Sequence, residues 1–127
     1  MSGSILVDTD ILIDFLRGYK KAISFIDEYS SQIILSPIIV AELYAGVKGT
    51  DELSVLENFL SLFHVVLLTS EIAKLGGLYR RDFGKSHGVG LADAILAATA
   101  KVEEAELKTL NVKHYPMFSG LKPAYKR

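Results

Sequence analysis

Short apolar runs rich in β-branched residues alternate with segments of helical periodicity, and that alternation predicts an α/β fold. The sheet it implies is parallel and covered on both faces. A further sign is the segment Leu91 to Val102, which is apolar almost all round, as a buried helix is. No repeat, linker or low-complexity stretch interrupts the 127 residues, so the chain reads as one domain over 1–127.

The first unit organises the rest. Ile5-Leu6-Val7 reads as a short buried strand, Asp8 falls at its end, and Thr9 and Asp10 can cap the helix that carries Ile11-Leu12-Ile13 and Phe15-Leu16. Ala22, Ile23, Ile26 and Tyr29 give a second helix, and Gln32 to Leu35 a second strand. Ser36-Pro37 opens a third helix, which frays near Gly46 or Gly49. Thr50 is expected to cap a fourth, with Leu53, Leu56, Leu60 and Phe63 as its buried stripe. His64 to Leu68 reads as the third strand. A helix from Ile72 to about Lys85 follows, interrupted in pattern by Gly76-Gly77. After the helix at Leu91, Glu106 to Leu110 reads as the last strand, Asn111 starts a turn, and the remainder is expected to be irregular.

Composition excludes several classes. The chain has no cysteine, so a thiolate metal site, a disulfide framework and a catalytic Cys are all ruled out. No apolar run reaches the roughly 20 residues of a membrane span. Met1-Ser2-Gly3-Ser4 lacks the features of a signal peptide, and a cytoplasmic protein is expected. A formal net charge of −1 does not mark a generally basic nucleic-acid binder. Charge is nonetheless uneven. The last acid is Glu106, and Lys108, Lys113, Lys122, Lys126 and Arg127 follow it, a run that also reads as an ordinary solvated tail.

Three carboxylates call for an explanation. Asp8 stands at a strand tip, where ligands bind in open α/β sheets, although on those residues alone Asp8 and Asp10 read equally well as caps. Asp93 is the only charge between His87 and Lys101, and Glu42 the only one between Glu28 and Lys48. An ionised carboxylate is costly to bury without a partner. Asp93 can answer to the helix dipole, or all three acids can face one cation. Hard oxygen ligands suit Mg²⁺ or Mn²⁺, which keep waters and bind phosphate as well. Such an ion could activate a water and offset charge on a phosphodiester. Without these three acids the rest of the chain carries about +2, which suits such a substrate.

Four segments then carry a resemblance. They are Val7-Asp8-Thr9-Asp10 with Ile13-Asp14, Val40 to Gly46, Leu91 to Ala100, and Leu107 to Tyr115. In this order, across nearly the whole chain, they resemble the PIN-domain ribonucleases, and among them the VapC-type toxins of toxin–antitoxin pairs. The resemblance implies a three-layer sandwich of helices around a parallel sheet of four or five strands. It also implies Mg²⁺- or Mn²⁺-dependent endoribonuclease activity on RNA, homodimerisation, and inhibition by a cognate VapB-type antitoxin. Asp8 and Asp93 match the family's principal metal-binding acids, Glu42 the acid that completes the cluster, and Thr109 the site hydroxyl. Asn111 stands where many members carry an Asp, so the site is expected to hold one tight metal more readily than two. Asn111 also reads as a plain turn former.

Asp10 is read as a cap, and Asp14 as facing either the site or an arginine. Arg80, Arg81 and Lys85 are candidate RNA contacts on what otherwise reads as a solvated helix end, and Tyr44 belongs to core or dimer interface. Two other classes stay open. One is a phosphotransfer or phosphatase domain with Asp8 as nucleophile, for which Lys108 is a poor match to the lysine required. The other is a non-catalytic RNA- or protein-binding domain of the same fold.

Overall fold

The structure, a computed structural model, describes residues 3–127. Met1 and Ser2, half of the stretch read for a leader, lie outside the described residues. Four parallel strands stand in the order β3-β2-β1-β4. They are β1 (Ile5–Val7), β2 (Ile33–Leu35), β3 (His64–Val65) and β4 (Glu106–Lys108). Six helices connect them: α1 (Thr9–Leu16), α2 (Lys20–Tyr29), α3 (Pro37–Ala45), α4 (Thr50–Leu60), α5 (Ser70–His87) and α6 (Leu91–Val102). The strands are flanked by helices on both faces, giving the three-layer sandwich of the sequence expectation, with four strands. β1 and β2 are buried along their full length, which is why neither shows an alternating pattern.

Strand order places the site. From β1 the chain steps outward to β2 and β3, and from β3 it crosses back to pair β4 with the other side of β1. The carboxyl ends of β1 and β4 therefore flank the point where the winding reverses, the usual ligand crevice of an open α/β sheet. Asp8 and Thr109 are the first residues beyond those two strand ends, and Asp8 N–H extends the ladder to Lys108 C=O at 2.9 Å.

Several elements differ from the sequence expectation. β3 is two residues long because its partner β2 ends at Leu35. Val66 N–H reaches Leu35 C=O at 2.9 Å, and beyond it Leu67 and Leu68 are exposed. Gly49, not Thr50, is the residue that caps α4. α5 runs unbroken through Gly76-Gly77. A Cβ on Gly76 would stand 3.0 Å from Ile95 Cγ1 and 3.1 Å from Ile95 Cα, so glycine there lets α5 close onto α6. β4 stops at Lys108, since Thr109 turns the chain: its Oγ1 accepts from Asn111 N–H at 3.0 Å.

The C-terminal stretch is not a loose tail. After a 3₁₀ turn at Val112–His114, Tyr115 is fully buried, and Met117, Phe118, Leu121, Ala124 and Tyr125 pack onto the core. Ala124 N–H donates to Thr109 C=O at 3.0 Å, which returns the chain to the tip of β4. Asp14, buried on α1, takes the arginine of its two expected partners. Arg127 Nε and Nη2 donate to it at 3.0 and 3.1 Å, and Tyr125 Oη at 2.7 Å. Burial works to raise the Asp14 carboxyl, but the Arg127 and Tyr125 hydrogen bonds outweigh it and hold the group below the usual carboxylate range.

Candidate active site

Asp8 is itself the cap of α1. Its backbone is extended, and its Oδ1 accepts from Thr9 N–H at 2.7 Å. With β1 ending at Val7, no residue but Asp8 separates strand from helix, which is why neither Thr9 nor Asp10 fills that role. Thr109, wholly buried, donates from Oγ1 to Asp8 Oδ2 at 2.8 Å. Tyr115 Oη donates to the same oxygen at 2.7 Å and lies 3.2 Å from Asp93 Oδ1. Asp93, in the first turn of α6, is half-buried, and its Oδ2 is 3.1 Å from His114 Nδ1. Residues from four places in the chain thus meet at the tips of β1 and β4.

Asp10 does more than the expected capping. It sits inside α1, where Oδ1 accepts from Ile11 N–H at 2.8 Å and Oδ2 from Leu110 N–H at 3.0 Å, with Thr109 Oγ1 at 3.4 Å. A hydroxyl has one proton, so the shorter contact to Asp8 takes it. Asp10 therefore ties the start of α1 to the chain beyond β4. Burial and the nearby charge of Asp8 push its carboxyl up to about 6 against those hydrogen bonds. Burial and Asp8 likewise raise Asp93, opposed by His114 and Tyr115. The Tyr115 phenol is raised strongly by burial and by the two acids it faces.

Glu42 departs from the expectation of a buried acid. It is exposed, because α3 is covered on one side only and Ala41, Tyr44 and Ala45 also face outward. Its Oε1 accepts from Thr9 Oγ1 at 2.9 Å, which places it one residue along the backbone from Asp8. Asn111 is exposed, and its backbone rather than its side chain makes the contact to Thr109. Arg81 pairs with its neighbour Asp82 at 2.8 Å, and no ion pair joins Arg80, Arg81 or Lys85 to the acids among the described residues. Sequence reading missed His114 and Tyr115 as site residues. Both lie in a segment without periodicity, and only the return of the chain beneath α6 brings them to the acids.

Among the described residues, no three Asp, Glu or His side chains stand in an arrangement that encloses a metal ion. Among the described residues Asp8 and Asp93 face one hydroxyl and have no Lys or Arg partner, and the basic group beside them is His114, on Asp93. That donor set fits Mg²⁺ or Mn²⁺, since Mg²⁺ commonly takes one or two carboxylates and fills its shell with water and substrate phosphate.

The PIN domain family model matches residues 5–114. Ribonuclease VapC19 of Mycobacterium tuberculosis is 41% identical over 124 residues, 94% of this chain and 98% of that protein. Ribonuclease VapC10 of the same organism is 39% identical over 124 residues, 95% of this chain and 92% of that one. A toxin–antitoxin complex from Klebsiella pneumoniae superposes with a TM-score of 0.84 at 29% identity, covering 98% of this chain and 100% of that chain. A family match from the first strand to the 3₁₀ turn takes in Asp8, Asp93, Thr109 and His114, with Tyr115 one residue beyond it, and the chain belongs to the PIN-domain family, among the VapC ribonucleases.

Proposed function

We propose that the protein is an endoribonuclease, the toxin of a toxin–antitoxin pair, whose cutting of RNA depends on Mg²⁺ or Mn²⁺ held by Asp8 and Asp93. The observation that carries this is the pair of acids joined through Tyr115 at the tips of β1 and β4. A cation there would activate a water and offset charge on the scissile phosphodiester. Thr109 orients Asp8, and Asp10 anchors the strand end that carries Thr109. Glu42, on the rim through Thr9, supports a role in completing the ion's outer shell or holding its waters. Asn111 brings no charge to the position where family members often carry Asp, which favours one ion over two.

For the partner, the support is a cavity of about 400 Å³ whose apolar lining includes Ile13, Leu16, Leu43 and Leu56, with Arg17, Glu42, Lys48 and Glu52 as its charged lining. An apolar segment of a VapB-type antitoxin seated there would lie beside Glu42. The named relatives are ribonucleases and one solved neighbour is a toxin–antitoxin complex, which supports a bound antitoxin, and assembly as a dimer is part of the same proposal. The phosphotransfer alternative loses its lysine: Lys108 Nζ is 2.9 Å from Glu106 on the strand itself.

The test is cleavage of a labelled RNA by the purified protein. Cutting is expected with Mg²⁺ or Mn²⁺, to stop with EDTA, and to return when the cation is restored. Cutting that persists in EDTA at full rate contradicts the proposal.

A further inference from the structure

We propose that Tyr115 is the positioning residue of the cation site: its hydroxyl, seated between Asp8 and Asp93, sets the spacing and aim of the two carboxylates. The metal site is taken here as proposed above.

The ring of Tyr115 fills core space that a phenylalanine would fill equally well. The hydroxyl is a different matter. A buried hydroxyl costs free energy unless it is hydrogen-bonded, and here its partners are the two acids, at 2.7 and 3.2 Å. Counting lone pairs shows what it does. Asp8 Oδ2 accepts from both Thr109 and Tyr115, which uses its two lone pairs. Asp8 Oδ1 accepts from Thr9 N–H and keeps one lone pair free of these bonds. Tyr115 and Thr109 together therefore fix the carboxylate so that Oδ1 is the oxygen left to bind a cation. The one phenol proton goes to Asp8 Oδ2, and the same oxygen, 3.2 Å from Asp93 Oδ1, stands between the two carboxylates as a spacer.

With phenylalanine, Asp8 Oδ2 keeps only Thr109, and the oxygen that spaces Asp93 from Asp8 is gone. Both side chains gain freedom that a bound ion must then remove. Removing such a supporting group typically lowers metal affinity or activity by 10- to 100-fold.

Tyr115→Phe separates this role from packing. Mn²⁺ binding to the RNA-free protein is measured by electron paramagnetic resonance, and thermal melts in EDTA check that the variant is folded. The expected result is Mn²⁺ affinity about 10-fold weaker in a variant that still melts as a folded protein. Unchanged affinity overturns the role of Tyr115 while leaving the metal site standing. Tighter binding overturns it too, since the hydroxyl would then be competing with the ion for Asp8. Failure of the parent protein itself to bind Mn²⁺ overturns the metal site, and this role with it.

Discussion

Asp10 shows how much one carboxylate can carry here. It stands two residues from Asp8, inside the helix that Asp8 caps, and accepts backbone hydrogen bonds from both Ile11 and Leu110. Because its carboxyl is raised from 3.8 to about 6, the folded protein holds a proton that the unfolded chain has already lost between those values. The folded state binds more protons there, so the Asp10 contribution to stability falls as pH rises from about 4 to about 6 and is gone above that. Asp10→Asn removes that slope and adds a constant loss, since an amide cannot accept both backbone hydrogen bonds. In thermal melts the gap between parent and variant is expected to shrink from about pH 4 to about pH 6, then hold steady. A gap that is the same at every pH contradicts the burial of Asp10 as the source of its shift. In the sequence Asp10 reads as a cap, because capping is local chemistry; its bond to Leu110 joins residues 100 positions apart and has no local sign.

At the scale of elements, the pair α5 and α6 decides where Asp93 sits. α6 buries Ala94 and the run from Leu96 to Ala100, and Gly76 allows α5 to close against Ile95. Gly76→Ala gains up to about 1 kcal/mol of helix propensity. It also forces a methyl against the Ile95 backbone, an overpacking that costs about 1–3 kcal/mol. The net expectation is a loss of about 1 kcal/mol. Gly77→Ala meets no atom within 4 Å, so it should stabilise by about 0.5–1 kcal/mol. The pair is read by chemical denaturation, and shifts of the same sign in both variants would contradict the close approach. The helix starts, the buried strands and the α/β order were legible because they rest on local chemistry: Ser36 caps α3 through Ile38 N–H, and Pro37 stands in its first turn. The length of β3 was not, since strand ends are set by the neighbour, here the short β2. Nor was the exposure of Glu42, because an apolar sequence does not say which side of α3 the protein covers.

Across the whole molecule, strand tips, the start of α6 and the stretch after β4 converge on one crevice. β1 supplies Asp8, α6 Asp93, and the segment after β4 supplies Thr109, His114 and Tyr115. The basic C-terminal stretch, which reads in the sequence as solvated, closes this arrangement through Ala124 on Thr109 and Arg127 on Asp14. Asp8 and Asp93 stood out in the sequence, whereas the aromatic between them did not, because buried tyrosines and loop tyrosines look alike in sequence. Asp8 and Asp93 are the pair on which the proposed chemistry depends. The most direct measurement is Mg²⁺-dependent RNA cutting by the parent, Asp8→Asn and Asp93→Asn proteins at matched protein concentration. Each variant is expected to lose roughly 100-fold or more of the rate, at least the loss seen when a mere supporting residue of a metal site is removed. Full Mg²⁺-dependent cutting by a folded Asp93→Asn protein would contradict the shared site.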